Sequence, residues 1–330
     1  MVKAKPAARA GPTRADRKIA RARIGTLSNR VVAPGTLERY QTALSLFFAW
    51  ALAHDISFTE HAHDMDRFAA EYIDILWEEG DPRGMAEHLI SGFSHFSPAL
   101  RGAMKASWRL LGAWKRHEPS QRAHPLSPLM VRGLAGLAIH WQAHDVAISL
   151  VLCFHALLRT GELFLVQWRH ITVAPNFRRA TLLLPWTKTG RRTGQVECVT
   201  VEDVSLVRWL AKEKNKFADY DFLVRRSAKS WRQVFPSLCD ALGLENLMPY
   251  GLRRGGATWL FQQTGNWHLV MEKGRWGHVA TAKLYVMPAL AAMRDDTLSP
   301  HTRELLTAAA VQLQRLRLQL EDRCLEQVGR

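Results

Sequence analysis

Tyr250-Gly251-Leu252-Arg253-Arg254-Gly255-Gly256-Ala257-Thr258, followed by Gly274-Arg275-Trp276 and, nine residues beyond that tryptophan, Tyr285, is the stretch that decides the fold of this 330-residue chain. Its basic side chains stand among small residues at helix starts and turns, not scattered over an ordinary solvated face. The pair Gly255-Gly256 either permits close helix packing behind Arg253 or is a plain helix irregularity. Two upstream segments share the pattern. Leu158-Arg159-Thr160-Gly161-Glu162-Leu163 interrupts two apolar helices and leaves Arg159 at the opening of the second. The turn-rich run from Thr187-Lys188-Thr189-Gly190 to Gly194 separates the β-prone segments Ala180–Pro185 and Val196–Val201, which predicts a β-hairpin with a basic tip. Taken singly, each of these residues has an ordinary explanation. Either arginine suits a surface ion pair, with Glu162 one turn from Arg159 as a partner. Lys188 reads as a loop lysine, Trp276 as a core tryptophan and Tyr285 as a half-buried helix tyrosine.

The rest of the chain is globular and basic. A hydrophobic share of 47% and a charged share of 23% support packed cores. Forty-five Lys and Arg against thirty Asp and Glu leave a net charge of +15, which points to a polyanionic partner, nucleic acid before anionic membrane. Cysteines at 153, 198, 239 and 324 form no CxxC pair, so neither a disulfide framework nor a zinc knuckle is expected, and the thiols are expected to be reduced inside a cell. No apolar run reaches the roughly 18 residues that cross a bilayer, and the chain reads as soluble and unsecreted.

Nine basic residues and the single acid Asp16 make residues 1–31 a basic tail, expected to be disordered, to track DNA or to act as a targeting leader. Leu37, Tyr40, Leu44, Phe47, Phe48 and Ala51 then recur at helical spacing. Further helical stretches at Met65–Glu78, Met85–Phe93 and Pro98–Lys115 make residues 32–122 an all-α domain. Glu118 to Pro125, with Pro128, reads as an interdomain linker. Helices at Val131–Leu137 and His144–Leu158 open a second domain, 123–297, and Leu305–Cys324 is an amphipathic helix within a terminal segment, 298–330. Leu306, Leu313, Leu316 and Leu320 lie on one side of that helix and call for a partner surface.

The order and spacing of these segments resemble the tyrosine recombinases, or phage integrase family, whose catalytic fold is shared with type IB topoisomerases. The family's first box, R-x-x-E-L with a later tryptophan, is matched by Arg159, Glu162, Leu163 and Trp168; its hairpin lysine, often in T-K-T-G, by Lys188. The second box, H-x-L-R, falls on Tyr250 to Arg253, with tyrosine where the family has histidine. The nucleophilic tyrosine follows a His or Trp by nine residues, which selects Trp276 and Tyr285 and leaves His278, seven residues away, as a neighbour. Thr36, Tyr40, Phe47 and Trp50 are similar to the helix that opens the family's SAM-like core-binding domain. The Y-x-L-R-R-G-G-A-T form resembles variants in eukaryotic mobile elements.

The resemblance, spanning about residues 32 to 290, implies a mainly α fold with a small β-hairpin or sheet, in which two domains clamp double-stranded DNA. It implies cleavage and rejoining through a 3′-phosphotyrosyl intermediate, with Arg159, Lys188, Tyr250, Arg253, Trp276 and Tyr285 as site residues. Two guanidinium forks match the oxygens of one phosphate. Lys188 is implied as the acid for the leaving 5′-oxygen, and Trp276 as an indole N–H donor that packs the site. Tyr285 is implied as the nucleophile, with no metal or cofactor needed because the cations supply the charge. Tyr250 can hydrogen-bond but is a poor acid or base beside imidazole. The implied setting is intracellular and DNA-associated, nuclear in a eukaryote, with protomers assembling as a tetramer through the C-terminal helix. A topoisomerase-like relaxing enzyme and a non-catalytic DNA-binding relic of a mobile element remain open alternatives.

Overall fold

The computed structural model describes residues 13–27, 30–58, 61–187, 190 and 194–328, with side chains of the last helix described to residue 320. Lys188 lies outside the described residues, as does most of the hairpin tip. The chain divides into two compact units, residues 1–121 and 122–330.

In the first unit, the segment expected to be disordered contains a helix, α1 (Arg14–Ile24). Thr13 and Asp16 close a reciprocal capping box at its start, which satisfies N-terminal donors that a bare helix would leave open. None of its residues is buried, so local capping and propensity hold it. Helices α2 (Pro34–Ala53), α3 (Ala62–Glu78), α4 (Gly84–Phe96) and α5 (Lys105–His117) surround a separate core. Phe47 is its centre, with Phe48, Trp50, Phe58, Tyr72 and Phe93 ringed around it at centroid distances of 5.2 to 5.8 Å. The stretch expected to be one helix from Pro98 to Lys115 is a 3₁₀ turn, Pro98–Leu100, followed by α5. The break is capped from outside: the buried carboxylate of Asp66 on α3 accepts from Ala106 N at 2.8 Å and Ser107 N at 2.9 Å.

The second unit begins with α6 (Pro128–His140). Pro128, assigned to the linker from sequence, is the first residue of this helix, where a proline's missing N–H is harmless, and Ser127 caps it. Helix α7 (His144–His155) is buried at every position from Val146 to Phe154, as a central helix must be. It stops short of Leu158 because Leu157 turns left-handed, with φ of 48°. The four-residue helix α8 (Thr160–Leu163) follows, with Arg159 at its N-cap.

Strands β1 (Ile171–Val173), β2 (Ala180–Leu184) and β3 (Glu197–Val201) form an antiparallel sheet in that order. Leu182 pairs with Ile171 on one side and Val199 on the other, so the predicted hairpin carries an additional edge strand. Helices α9 (Val204–Lys214), α10 (Ala228–Ala241), α11 (Tyr250–Thr264), α12 (Trp267–Gly274), α13 (Val279–Lys283) and α14 (Pro288–Asp296) complete the unit before the last helix. Among the described residues no helix is long and apolar enough to cross a membrane.

The last helix, α15 (Pro300–Val328), lies on α6 of its own chain. Leu306, Leu313 and Leu320 are buried in the main core, and Leu316 packs against it. The leucine stripe expected to dock on a neighbouring protomer is thus covered in cis, because Gly133 and Gly136 let the two helix backbones approach. A Cβ on Gly136 would fall well inside contact distance of the Ala309 carbonyl oxygen, and backbone cannot yield as a flexible side chain does. Gly136→Ala is therefore expected to destabilise the chain by about 1–3 kcal/mol in urea unfolding and to speed proteolysis after residue 300. Unchanged stability would mean that the helix does not depend on this seat.

Candidate active site

Helix α11 carries the centre of the site. Its first residue is Tyr250, and its next two turns bury Gly251 through Thr258. That burial requires glycine: a Cβ on Gly255 would strike the backbone of Leu126, and one on Gly256 the carbonyl of Phe154 at the end of α7. Close approach brings the Arg253 guanidinium, 1% exposed, against the segment after α7. Its Nη1 donates to Leu157 O at 2.6 Å and its Nη2 to Gly274 O at 2.6 Å. Left-handed Leu157 turns the first of these acceptors inward.

Trp276 and Tyr285 complete one wall. Their rings lie 4.3 Å apart, and the Arg253 cation sits 4.9 Å from the Trp276 ring and 5.6 Å from that of Tyr285. Both tyrosine hydroxyls meet: Tyr250 Oη lies 2.5 Å from Tyr285 Oη. Tyr285 belongs to the turn after α13, not to a helix, and α11 holds that turn. Arg254 Nη2 donates to Leu284 O at 2.7 Å, and Thr258 Oγ1 donates to Tyr285 O at 3.4 Å. His278 is exposed at the N-cap of α13.

Arg159 enters through a buried carboxylate. Glu162 Oε1 accepts from Arg159 Nη1 at 2.7 Å, while Oε2 accepts from Arg159 N and from Arg275 Nη2, each at 2.8 Å. Arg275 also pairs with Glu197 on β3, Nε to Oε2 at 3.5 Å. The site thus gathers three guanidiniums around two carboxylates. Several donors there are buried and find no hydrogen-bond acceptor among the described residues: Arg253 Nε, Arg275 Nη1 and Trp276 Nε1.

Electrostatics follows from this crowding. Burial, then the nearby Arg275 and Arg159 cations, push Arg253 down to about 10, so it stays charged at neutral pH. Arg275 is lowered by burial, with Glu162 opposing the shift. Burial and the Tyr285 hydrogen bond push Tyr250 up to about 12, which keeps it a neutral donor.

Five of the six residues expected from sequence, Arg159, Tyr250, Arg253, Trp276 and Tyr285, are therefore brought to one cluster; the sixth, Lys188, lies outside the described residues. Arg254, Arg275 and Glu197 had received no role. Arg254 and Arg275 stand inside the quoted boxes, a signal that was present, whereas nothing local marks Glu197.

The same arrangement of elements is found in solved structures. A lambda integrase dimer bound to a COC′ core site matches with a TM-score of 0.54 at 15% identity, covering 82% of this chain and 94% of that one. A variant of the Tn1549 transposon integrase in complex with transposon right-end DNA matches with a TM-score of 0.53 at 13% identity, over 86% of this chain and 98% of that one. This chain has the tyrosine recombinase fold. No protein-family model and no curated protein matches its sequence. Within the tyrosine recombinase fold, the boxes read from sequence fall on α8, α11 and the turn after α13.

The Tyr250 phenol is open to a direct check. The neutral form is the one the fold favours, so stability should fall as pH rises from 10, its ordinary value, through about 12. An ultraviolet phenol titration of the wild type minus that of Tyr250→Phe should isolate a step near 12. A step at the ordinary value would mean that Tyr250 is neither desolvated nor bonded to Tyr285.

Proposed function

We propose that this chain is a site-specific DNA recombinase that cleaves and rejoins duplex DNA through a 3′-phosphotyrosyl intermediate on Tyr285. The observation that carries this reading is a cluster of buried donors that includes the neighbours of the Tyr285 ring. Arg253 Nε and Trp276 Nε1, on side chains that lie against that ring, and Arg275 Nη1 in the same cluster find no acceptor among the described residues. A phosphodiester supplies such oxygens, and it gains charge on them as it becomes pentacoordinate.

In the step proposed, Tyr285 Oη attacks phosphorus and the bond to the 5′-oxygen breaks. The Tyr285 proton passes to solvent, which reaches its half-buried ring, and the leaving 5′-oxygen takes a proton from Lys188 on the connection between β2 and β3. Arg253 and Arg159 stabilise the non-bridging oxygens. Tyr250, neutral up to about 12, donates to Tyr285 Oη as phenolate character develops. The phosphotyrosyl ester retains the bond energy, so the reverse step rejoins DNA without ATP. Charge from the guanidiniums and Lys188 is proposed to suffice without a metal.

Double-stranded DNA is the proposed partner, and the net charge of +15 supports electrostatic capture. Assembly of several protomers on the DNA belongs to the same proposal, by a surface other than the leucine stripe covered by α6. A suicide duplex tests the reading. Wild type is expected to form a denaturant-resistant covalent adduct, with or without chelator, and Tyr285→Phe none. Arg253→Ala should slow adduct formation by about 10²–10³-fold, as loss of a transition-state donor does. Tyr250→Phe should slow it by roughly 10–100-fold, the worth of one hydrogen bond to a developing anion. Binding without any adduct would select the non-catalytic relic, and plasmid relaxation without recombination the topoisomerase-like enzyme. An adduct that persists in Tyr285→Phe and vanishes in Tyr250→Phe would move the nucleophile to the second phenol.

A further inference from the structure

Arg275 occupies a backbone position that opposes an arginine. It is the C-cap of α12, left-handed at φ 56° and ψ 46°, where glycine is favoured because it has no Cβ. Its side chain nevertheless turns inward and is 7% exposed. What holds it there is a row of alternating charges. Glu197, at the start of β3, pairs with Arg275; Arg275 donates to Glu162; Glu162 accepts from Arg159. Arg159 is the outermost member, with a side chain 24% exposed against 5% for Glu162.

The row has two physical consequences. First, Glu162 is bonded from both sides, so its carboxylate cannot rotate without breaking a bond to Arg275, and the guanidinium of Arg159 is fixed with it. Second, Glu162 is hydrogen-bonded by two cations, Arg159 and Arg275, while Glu197 meets Arg275 only at 3.5 Å. If Glu162 served Arg159 alone, the pair would be near neutral and Arg159 would have little charge left for an incoming anion. Because Arg275 shares the carboxylate, Arg159 remains partly uncompensated where solvent and ligand reach it.

We propose that Arg275 is a positioning residue of this pocket: acting through Glu162, it orients Arg159 and keeps its charge available to a phosphate. The proposal deepens the phosphotyrosyl reading and rests on it for the identity of the anion. Glu197 is the anchor at the far end. It pairs across the sheet with Leu184, the last residue of β2, so the row also ties Arg159 to the base of the connection that carries Lys188.

The test compares full-length wild type, Arg275→Gly, Arg275→Lys, Glu162→Gln and the double variant Glu162→Gln/Arg275→Gly. Glycine relieves the left-handed backbone, so a loss of function in Arg275→Gly cannot be charged to strain. Two readouts are taken: the adduct rate on the suicide duplex, and the apparent affinity for inorganic orthovanadate, a phosphate-like anion, from the shift in thermal midpoint. The second needs no nucleophile. Arg275→Gly is expected to lower vanadate affinity and adduct rate by about tenfold or more, the scale of one charged hydrogen bond, with its own thermal midpoint in the absence of anion unchanged. Arg275→Lys should recover part of the loss. In the Glu162→Gln background, Arg275→Gly should cost nothing further, because the residue acts through that carboxylate.

Wild-type-like vanadate affinity in Arg275→Gly, full additivity with Glu162→Gln, loss of anion-free stability in place of anion affinity, or no vanadate stabilisation of wild type would each overturn the proposal. If wild type forms no adduct while the vanadate coupling persists, the Tyr285 reading falls and the positioning role stands.

Discussion

Burying the guanidinium of Arg253 is the constraint on which the site depends. An arginine that is 1% exposed cannot lose its charge at neutral pH, so the fold must supply acceptors where water cannot. It supplies two backbone carbonyls, Leu157 O and Gly274 O, from segments on either side of α11. Each acceptor requires a local concession. Leu157 adopts a left-handed conformation unfavourable to a branched side chain, and Gly255 and Gly256 give up side chains so that α11 can reach the end of α7. These concessions are found where the chain gathers charge, which is how strain is distributed when a site, not the core, demands it.

The acceptors are carbonyl dipoles, not carboxylates, and this decides the electrostatics. Dipoles accept from Nη1 and Nη2 of Arg253 without cancelling its charge, and the nearby Arg275 and Arg159 add to the local potential. Of the two carboxylates, Glu162 lies between Arg275 and Arg159, and Glu197 pairs with Arg275. Three guanidiniums against two carboxylates leave the cluster with surplus positive charge, and one of the three, that of Arg253, lies 5.6 Å from the Tyr285 ring. A pocket of that kind binds an anion with several oxygens better than a single carboxylate.

Much of this was legible in the sequence, and what was not has physical causes. Short-range turn and helix signals marked the segments that hold Arg159, Arg253, Trp276 and Tyr285, but it was the resemblance to the tyrosine recombinase boxes that singled out these residues within them. The helices of the first unit were readable from the period of Phe47 and its neighbours. Strand β1 was not, since three residues carry too little alternation to register. Pro128 was misread because proline marks both linkers and first helical turns. Arg275 was quoted without a role because its partner Glu162 lies 113 residues earlier in the chain. The leucine face of α15 announced a partner; that the partner is α6 depends on Gly133 and Gly136, whose meaning appears only when the two helices are seen together.

The tyrosine at position 250 and the arginine at 275 are best understood jointly. An imidazole at position 250 would acquire charge readily, and here it would do so beside Arg253, whose own pKa is already depressed by burial and by two neighbouring cations. A further cation would deepen that repulsion. A phenol avoids it: Tyr250 stays neutral up to about 12 and still presents an O–H to Tyr285 at 2.5 Å. The donor is retained and the added charge is not. In the proposed phosphotyrosyl reaction, the proton an imidazolium could have delivered would then have to come from Lys188. In the same proposal, the charge that Arg275 leaves on Arg159 serves the phosphate. On this account the site has exchanged a titratable group for a fixed one, and its activity should be flat in pH through the range where histidine ionises.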